Sequence, residues 1–232
     1  MYALNLGATF IPVTINDEAY DTCYVCSVYT AFISYAHSEL EKIKSKFLRL
    51  LFSKIIHVFR YIFIKIGIDR VISHNNFLLS TNLYPKLDIN NQQFTNYLKT
   101  LQTTFPNHAF IFRSLNQYSN ESLMQKLKKL DFVFYPSRQV YIFDKKRYDF
   151  RKKKKFQADL KLLKQQKIYI FVTHDEIKPD DYPRIVELYN KLYIEKYSEY
   201  NPQFNEKYIE LSHKTKLIEY WAIRNKMGFW VL

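Results

Sequence analysis

Whether this chain crosses a membrane or folds as a domain in water turns on one stretch. From Phe47 to Ile66 the sequence is mostly Leu, Ile and Phe. A helix that spans a bilayer needs about 20 such residues almost free of charge. Arg49, Lys54, His57, Arg60 and Lys65 interrupt this one at helical spacing. At about 100° per residue those groups, with Ser53, take somewhat less than half of the helix wall and leave the remainder apolar. The stretch is therefore expected to be a basic amphipathic helix that does not span. Two environments suit it: the face of a sheet inside a globular domain, which the rest of the chain favours, and the surface of an anionic membrane. A break near Ser53 would divide it, and Gly67 is expected to end it.

Around this helix, runs rich in β-branched and aromatic residues alternate with segments of helical period. Ala8 to Ile15 and Tyr20 to Tyr29 are expected strands joined by a polar turn, followed by helix from Ala31 to about Ile66 and a strand from Ile68 to Ser73. After the Asn75 to Pro85 loop come a helix from Asn91 to Thr104, a strand around Ile111, a helix from Ser119 to Leu130 capped by Ser119, and a strand from Gln139 to Phe143. The second half repeats the alternation. Helices are expected at Phe156 to Gln166, at Asp180 to Glu195 with Pro183 in the first turn, and at Glu206 to Leu217; strands are expected at Lys167 to Thr173 and Ile218 to Arg224. A turn at Asn225 to Gly228 then opens another strand at Phe229. Such alternation predicts an α/β fold, a sheet with helices on its faces. Residues 1–146 read as one complete unit and 147–232 as the start of a second, incomplete one.

Hydrophobic residues make up 47% of the 232 residues and aromatics 18%, enough for a substantial core. Thirty-five Lys and Arg against 22 Asp and Glu leave +13, so anionic partners are attracted whatever the fold. The densest basic run, Lys145 to Lys155, carries aromatics among its lysines. It reads as a solvated linker or helix start, with a single-stranded nucleic-acid footprint as the alternative. The two cysteines, Cys23 and Cys26, lack the further ligands that a tetrahedral metal site needs, and none of the six histidines has ligand spacing, so no metal is expected. On the expected strand, residues three apart point to opposite faces, so the pair reads as ordinary buried thiols. Met1 to Thr14 lacks the basic start and long apolar core of a cleavable signal, which predicts a cytoplasmic protein.

Three clusters place hydrogen-bonding groups beside apolar runs: Asn75 to Pro85, Arg113-Ser-Leu-Asn116, and Ser137-Arg-Gln139. Arg113 and Arg138 suit a carboxylate or phosphate, and Asn82, Asn116 and Gln139 could orient what they hold. Structural hydrogen bonds explain the same groups equally well.

Five pieces together resemble a known family. They are Tyr24-Val-Cys-Ser-Val-Tyr-Thr30 with Ile33-Ser-Tyr35, Leu78-Leu-Ser-Thr-Asn-Leu-Tyr-Pro85, Phe112-Arg-Ser-Leu-Asn116, Pro136-Ser-Arg-Gln-Val-Tyr141, and Leu188 to Pro202. The chain resembles acyltransferases of the GNAT superfamily, relatives of the Fem-type peptidoglycan aminoacyl transferases, which place two such folds in tandem. The resemblance implies a GNAT-like mixed sheet and transfer of an acyl group from acyl-CoA, or another activated donor, to a small-molecule or peptidyl amine. In that reading Asn82, Tyr84, Arg113, Asn116, Ser137, Arg138 and Gln139 bind the acceptor. Glu195 is the base that deprotonates the attacking ammonium and Tyr197 the acid that protonates the leaving thiolate. One departure concerns the donor. The family holds pyrophosphate on backbone amides of a glycine-bearing turn that opens a helix, whereas the glycines here are Gly7, Gly67 and Gly228. The resemblance puts that turn after the strand beginning at Phe229, which implies a truncated or inactive member.

Overall fold

The computed structural model of the chain describes residues 2–6, 9–84, 91–144, 146, 149–164 and 169–225. Two compact units divide it, Met1–Val133 with Leu192–Gln203, and Phe134–Lys191 with Phe204–Leu232. The chain thus leaves the first unit after Val133 and returns to it for one short passage.

The first unit is built on a four-stranded mixed sheet, β1 (Tyr2–Leu6), β2 (Thr9–Asp17), β3 (Arg70–His74) and β4 (Ala109–Phe112), in that spatial order. The first three strands are antiparallel, whereas β4 runs parallel to β3, with Val71 opposite Ala109 and His74 opposite Phe112. A parallel neighbour requires a crossover, and the chain between β3 and β4 supplies one with α3 (Asn91–Thr104). Val71, Ile72, Ser73 and His74 are all buried, as expected of a strand covered on both faces. Phe94 and Leu98 of α3 and Leu127 of α4 (Gln117–Lys128) are buried in the same unit.

Tyr20 to Tyr29 is not a strand. The segment folds into tight turns and then helical turns, Thr30–Ser34, α1 (Tyr35–Glu39) and Leu40–Lys42. Its polar backbone atoms are taken by side chains: Asp69 accepts from the Tyr29 amide at 2.8 Å, and Asn76 donates to the Val25 carbonyl at 2.9 Å. The expected long helix breaks at Ile43, where the backbone turns extended, and restarts as α2 (Lys46–Lys65), capped by the Ser45 hydroxyl. It runs unbroken through Ser53. Gly67 ends it as expected. At φ +63 the Gly67 amide donates to the Ile64 carbonyl and the Ile68 amide to the Phe63 carbonyl, the paired bonds of a Schellman closure.

Contrary to the expectation of sheet packing, α2 buries no residue. Ser53, Ile56, His57, Arg60 and Ile64 line a cavity with Tyr20, Tyr29 and His37, so a face of mixed polarity is turned to the rest of the unit. Leu48, Leu51, Ile55, Val58, Phe59 and Ile62, on the far arc, are each between 41% and 58% exposed. The helix thus leaves most of its apolar wall uncovered, where an amphipathic helix ordinarily buries it.

The second unit pairs β5 (Tyr169–Val172) with β6 (Ala222–Asn225) antiparallel and carries α5 (Lys154–Lys164), α6 (Tyr182–Tyr189) and α7 (Glu206–Lys214). Its core joins Val172, Ile177, Tyr182 and Ile209. Pro183 sits in the first turn of α6, where no amide hydrogen is needed. The expected strand Gln139 to Phe143 does not form: these residues pair with no strand among the described residues, and Tyr141 is 90% exposed. The expected turn over residues 226–228 and the strand from Phe229 lie outside the described residues, as do Ala8 and the Lys167 start of β5.

Candidate functional site

Because β3 and β4 are parallel and in register, both emerge at one edge of the sheet, so Asn75 and Asn76 leave beside Arg113 and Ser114. Asn75 and Ser114 turn there through left-handed backbone, at φ 54 and 65, conformations that asparagine tolerates better than most residues. A compact polar network follows. Asn76, fully buried, donates to the Thr14 hydroxyl at 2.8 Å and to the Val25 carbonyl. Arg113 Nη1 reaches the same carbonyl at 2.9 Å. The Tyr84 hydroxyl donates to the Arg113 carbonyl at 2.9 Å, and burial pushes its pKa well above the usual tyrosine range. The Asn82 amide donates to Ser114 Oγ at 3.1 Å, while Asn82 Oδ1 accepts from the Phe77 amide.

Of the residues expected to bind an acceptor, Asn82, Tyr84 and Arg113 are therefore brought together here. Asn116 is close in sequence, but its side chain caps α4. Its Oδ1 accepts from the Ser119 amide at 3.0 Å and from the Ser119 hydroxyl at 2.9 Å, so Asn116 and not Ser119 starts that helix. Ser137, Arg138 and Gln139 belong to the second unit, on an exposed segment without regular structure. Glu195 and Tyr197 belong to the first, at the exposed end of the π-helical turns Asn190–Glu195 and just beyond. Tyr197 is half exposed, beside Tyr193 and beneath the Lys196 ammonium at 5.7 Å.

The edge also holds polar atoms left over. Among the described residues, Asn82 Nδ2, Asn75 Oδ1 and His74 Nε2 are buried without a hydrogen-bond partner. Their residues are 2%, 1% and 2% exposed, and buried orphans of this kind are uncommon in folded proteins. His74 was not a sequence candidate. It stacks on Phe112 at 4.3 Å and shares a 2.7 Å hydrogen bond between Nδ1 and the Tyr97 hydroxyl. Burial lowers its pKa to about 3, so the ring is neutral. The sequence signal available for it was its position as the last residue of an apolar strand.

In the basic segment, Phe143, Phe150 and Phe156 pack on one another, with centroids 5.3 and 4.8 Å apart. Among the described residues no group of three or more His, Cys, Asp or Glu is arranged to hold a metal, and no helix is long and apolar enough to cross a membrane. Comparisons with protein-family models, curated proteins and solved structures return no match for this chain. What the structure establishes is a mixed α/β protein, with a polar cluster at the carboxyl edge of its parallel strand pair.

Proposed function

We propose that this chain is a GNAT-like acyltransferase that moves an acyl group from acyl-CoA, or another activated donor, to an amine. The observation that supports it is the set of orphaned buried atoms, Asn82 Nδ2 and Asn75 Oδ1, at the carboxyl edge of the parallel pair β3 and β4. Ligands of open α/β sheets bind outside the carboxyl ends of parallel strands. A buried donor and acceptor left over there suit a polar acceptor, such as an amide or carboxylate next to the amine, which would have to displace the groups that cover them before binding satisfied both. Glu195 and Tyr197 remain the proposed base and acid. The test is a thermal melt with and without acetyl-CoA, followed by an assay of thiol release with a panel of amines. Saturation at about 100 times the dissociation constant should add roughly 2.7 kcal/mol to stability. A cooperative melt indifferent to the donor, with no thiol release, would sink the reading.

A second reading concerns where the protein works, and α2 favours it. Its apolar arc points outward and Lys54 and Lys65 border that arc on one side, an arrangement that suits a helix lying in the headgroup region of an anionic membrane. Flotation with vesicles containing phosphatidylserine should carry the protein up. Pure phosphatidylcholine should carry less, and changing Phe52 and Phe59 to Glu should abolish flotation. A protein that stays at the bottom but dimerises through this face would assign the arc to a second copy instead.

A further inference from the structure

The cysteines expected to sit on opposite faces of a strand instead close a turn. The Cys26 amide donates to the Cys23 carbonyl at 2.9 Å and the Ser27 amide to the same oxygen at 3.2 Å. Such a turn brings its end Cα atoms within about 7 Å, close to the range a disulfide requires. Both thiols are free, and each is the titratable group that acts most strongly on the other.

Their surroundings differ. Cys23 opens onto a cavity of about 510 Å³, lined also by Asp21, Thr22, Glu199, Asn201 and Gln203. Cys26 lies behind it, near the Thr14 hydroxyl and 3.7 Å from Asn76 Nδ2. Much of the buried polar network holds this one turn. Asn76 and Arg113 both donate to the Val25 carbonyl, Asn16 donates to the Cys26 carbonyl at 3.3 Å, and the Tyr24 amide donates to the Tyr200 carbonyl at 2.9 Å. Asp69, itself fully buried, accepts from the Ser27 hydroxyl and the Tyr29 amide. A turn so clamped keeps the two cysteines at its ends in place whether or not a bond joins them.

We propose that Cys23 and Cys26 form a redox-active dithiol that exchanges with low-molecular-weight disulfides, with Cys23 the attacking sulfur and Cys26 the resolving one. The neighbouring Cys26 thiol lowers the Cys23 pKa to about 7, so a large fraction is thiolate at neutral pH. The Cys23 sulfur, with burial, raises the Cys26 pKa. Cys23 Sγ attacks one sulfur of R–S–S–R, forming a mixed disulfide and releasing RS⁻. Cys26 Sγ, deprotonated in turn, attacks Cys23 Sγ, closes the intramolecular disulfide and releases the second RS⁻. The two protein protons end on the two released thiolates. The dithiol loses two electrons, and the small disulfide gains them. This inference is independent of acyl transfer.

The test uses the full chain with oxidised glutathione, quenched by alkylation and read by intact mass and peptide mapping. The wild type should lose two hydrogens, retain no glutathione and lose both alkylatable thiols together. Cys26→Ser should accumulate one glutathione on Cys23, and Cys23→Ser should react about tenfold more slowly at Cys26. Two glutathiones on the wild type, or equal rates for the two variants, would overturn the proposal. The wild-type mass alone decides between a bridge and independent thiols even where a variant folds poorly.

Discussion

At the scale of single residues, His74 has the clearest energetic consequence. Buried and neutral, with a pKa pushed down to about 3, it binds no proton in the folded state under conditions where an unfolded histidine, with a pKa of about 6.5, does. The unfolded state therefore gains protons as pH falls below about 6.5. Stability is full above that value and drops by about 1.4 kcal/mol per pH unit toward pH 3. Urea unfolding at pH 7 and pH 5 should show the wild type losing about 2 kcal/mol more than His74→Gln over that interval; equal losses would mean that the ring is solvated in the folded state. Asn76 makes a second case. Replacing it with Ala removes the donor shared by Thr14 Oγ1 and the Val25 carbonyl and should cost about 2 kcal/mol in the same assay. The sequence reading picked out Arg113, Asn82 and Tyr84 as polar groups beside apolar strands, and the structure gathers them. It missed His74, and it included Asn76 only as a member of the Asn75 to Pro85 cluster without a role, because burial of a polar side chain depends on neighbours distant in sequence.

At the scale of elements, α2 and its closure make separable predictions. A Cβ at Gly67 would lie 2.8 Å from Glu18 Oε1, on backbone at φ +63. Gly67→Ala should destabilise by about 1 to 2 kcal/mol in chemical unfolding, part of it from the left-handed backbone alone. Changing Phe52 and Phe59 to Glu, by contrast, should leave the urea midpoint almost unmoved, since these side chains are 41% and 48% exposed. A large loss of stability in that double variant would mean that the arc is covered in solution. Asn116→Ala should cost α4 about 1 kcal/mol through the lost cap. The existence of α2 and its C-terminal end were readable because apolar period and terminal glycine are local signals, whereas the break at Ile43 and the Ser45 cap fell inside the longer helix expected. The direction of its apolar face was not, since the same stripe fits a sheet or a membrane.

For the whole molecule, the net charge of +13 bears on association and not on fold. If α2 seats the protein on an anionic surface, vesicle binding should weaken as salt shortens the screening length from about 10 Å at 0.1 M to about 3 Å at 1 M. Binding indifferent to salt would leave only the apolar arc as its cause. The sequence by itself determined the mixed α/β class, the positions of most helices and their terminators. A helix satisfies its backbone within itself, so its signals are written locally. Only the tertiary structure decided what became of the strand-like runs. Tyr20 to Tyr29 and Gln139 to Phe143 have strand composition, but a strand's hydrogen bonds must come from residues far away in sequence. Asp69, Asn76 and Arg113 claimed the first run and bent it into the turn that sets two thiols side by side. No strand among the described residues pairs with the second, so it remained exposed.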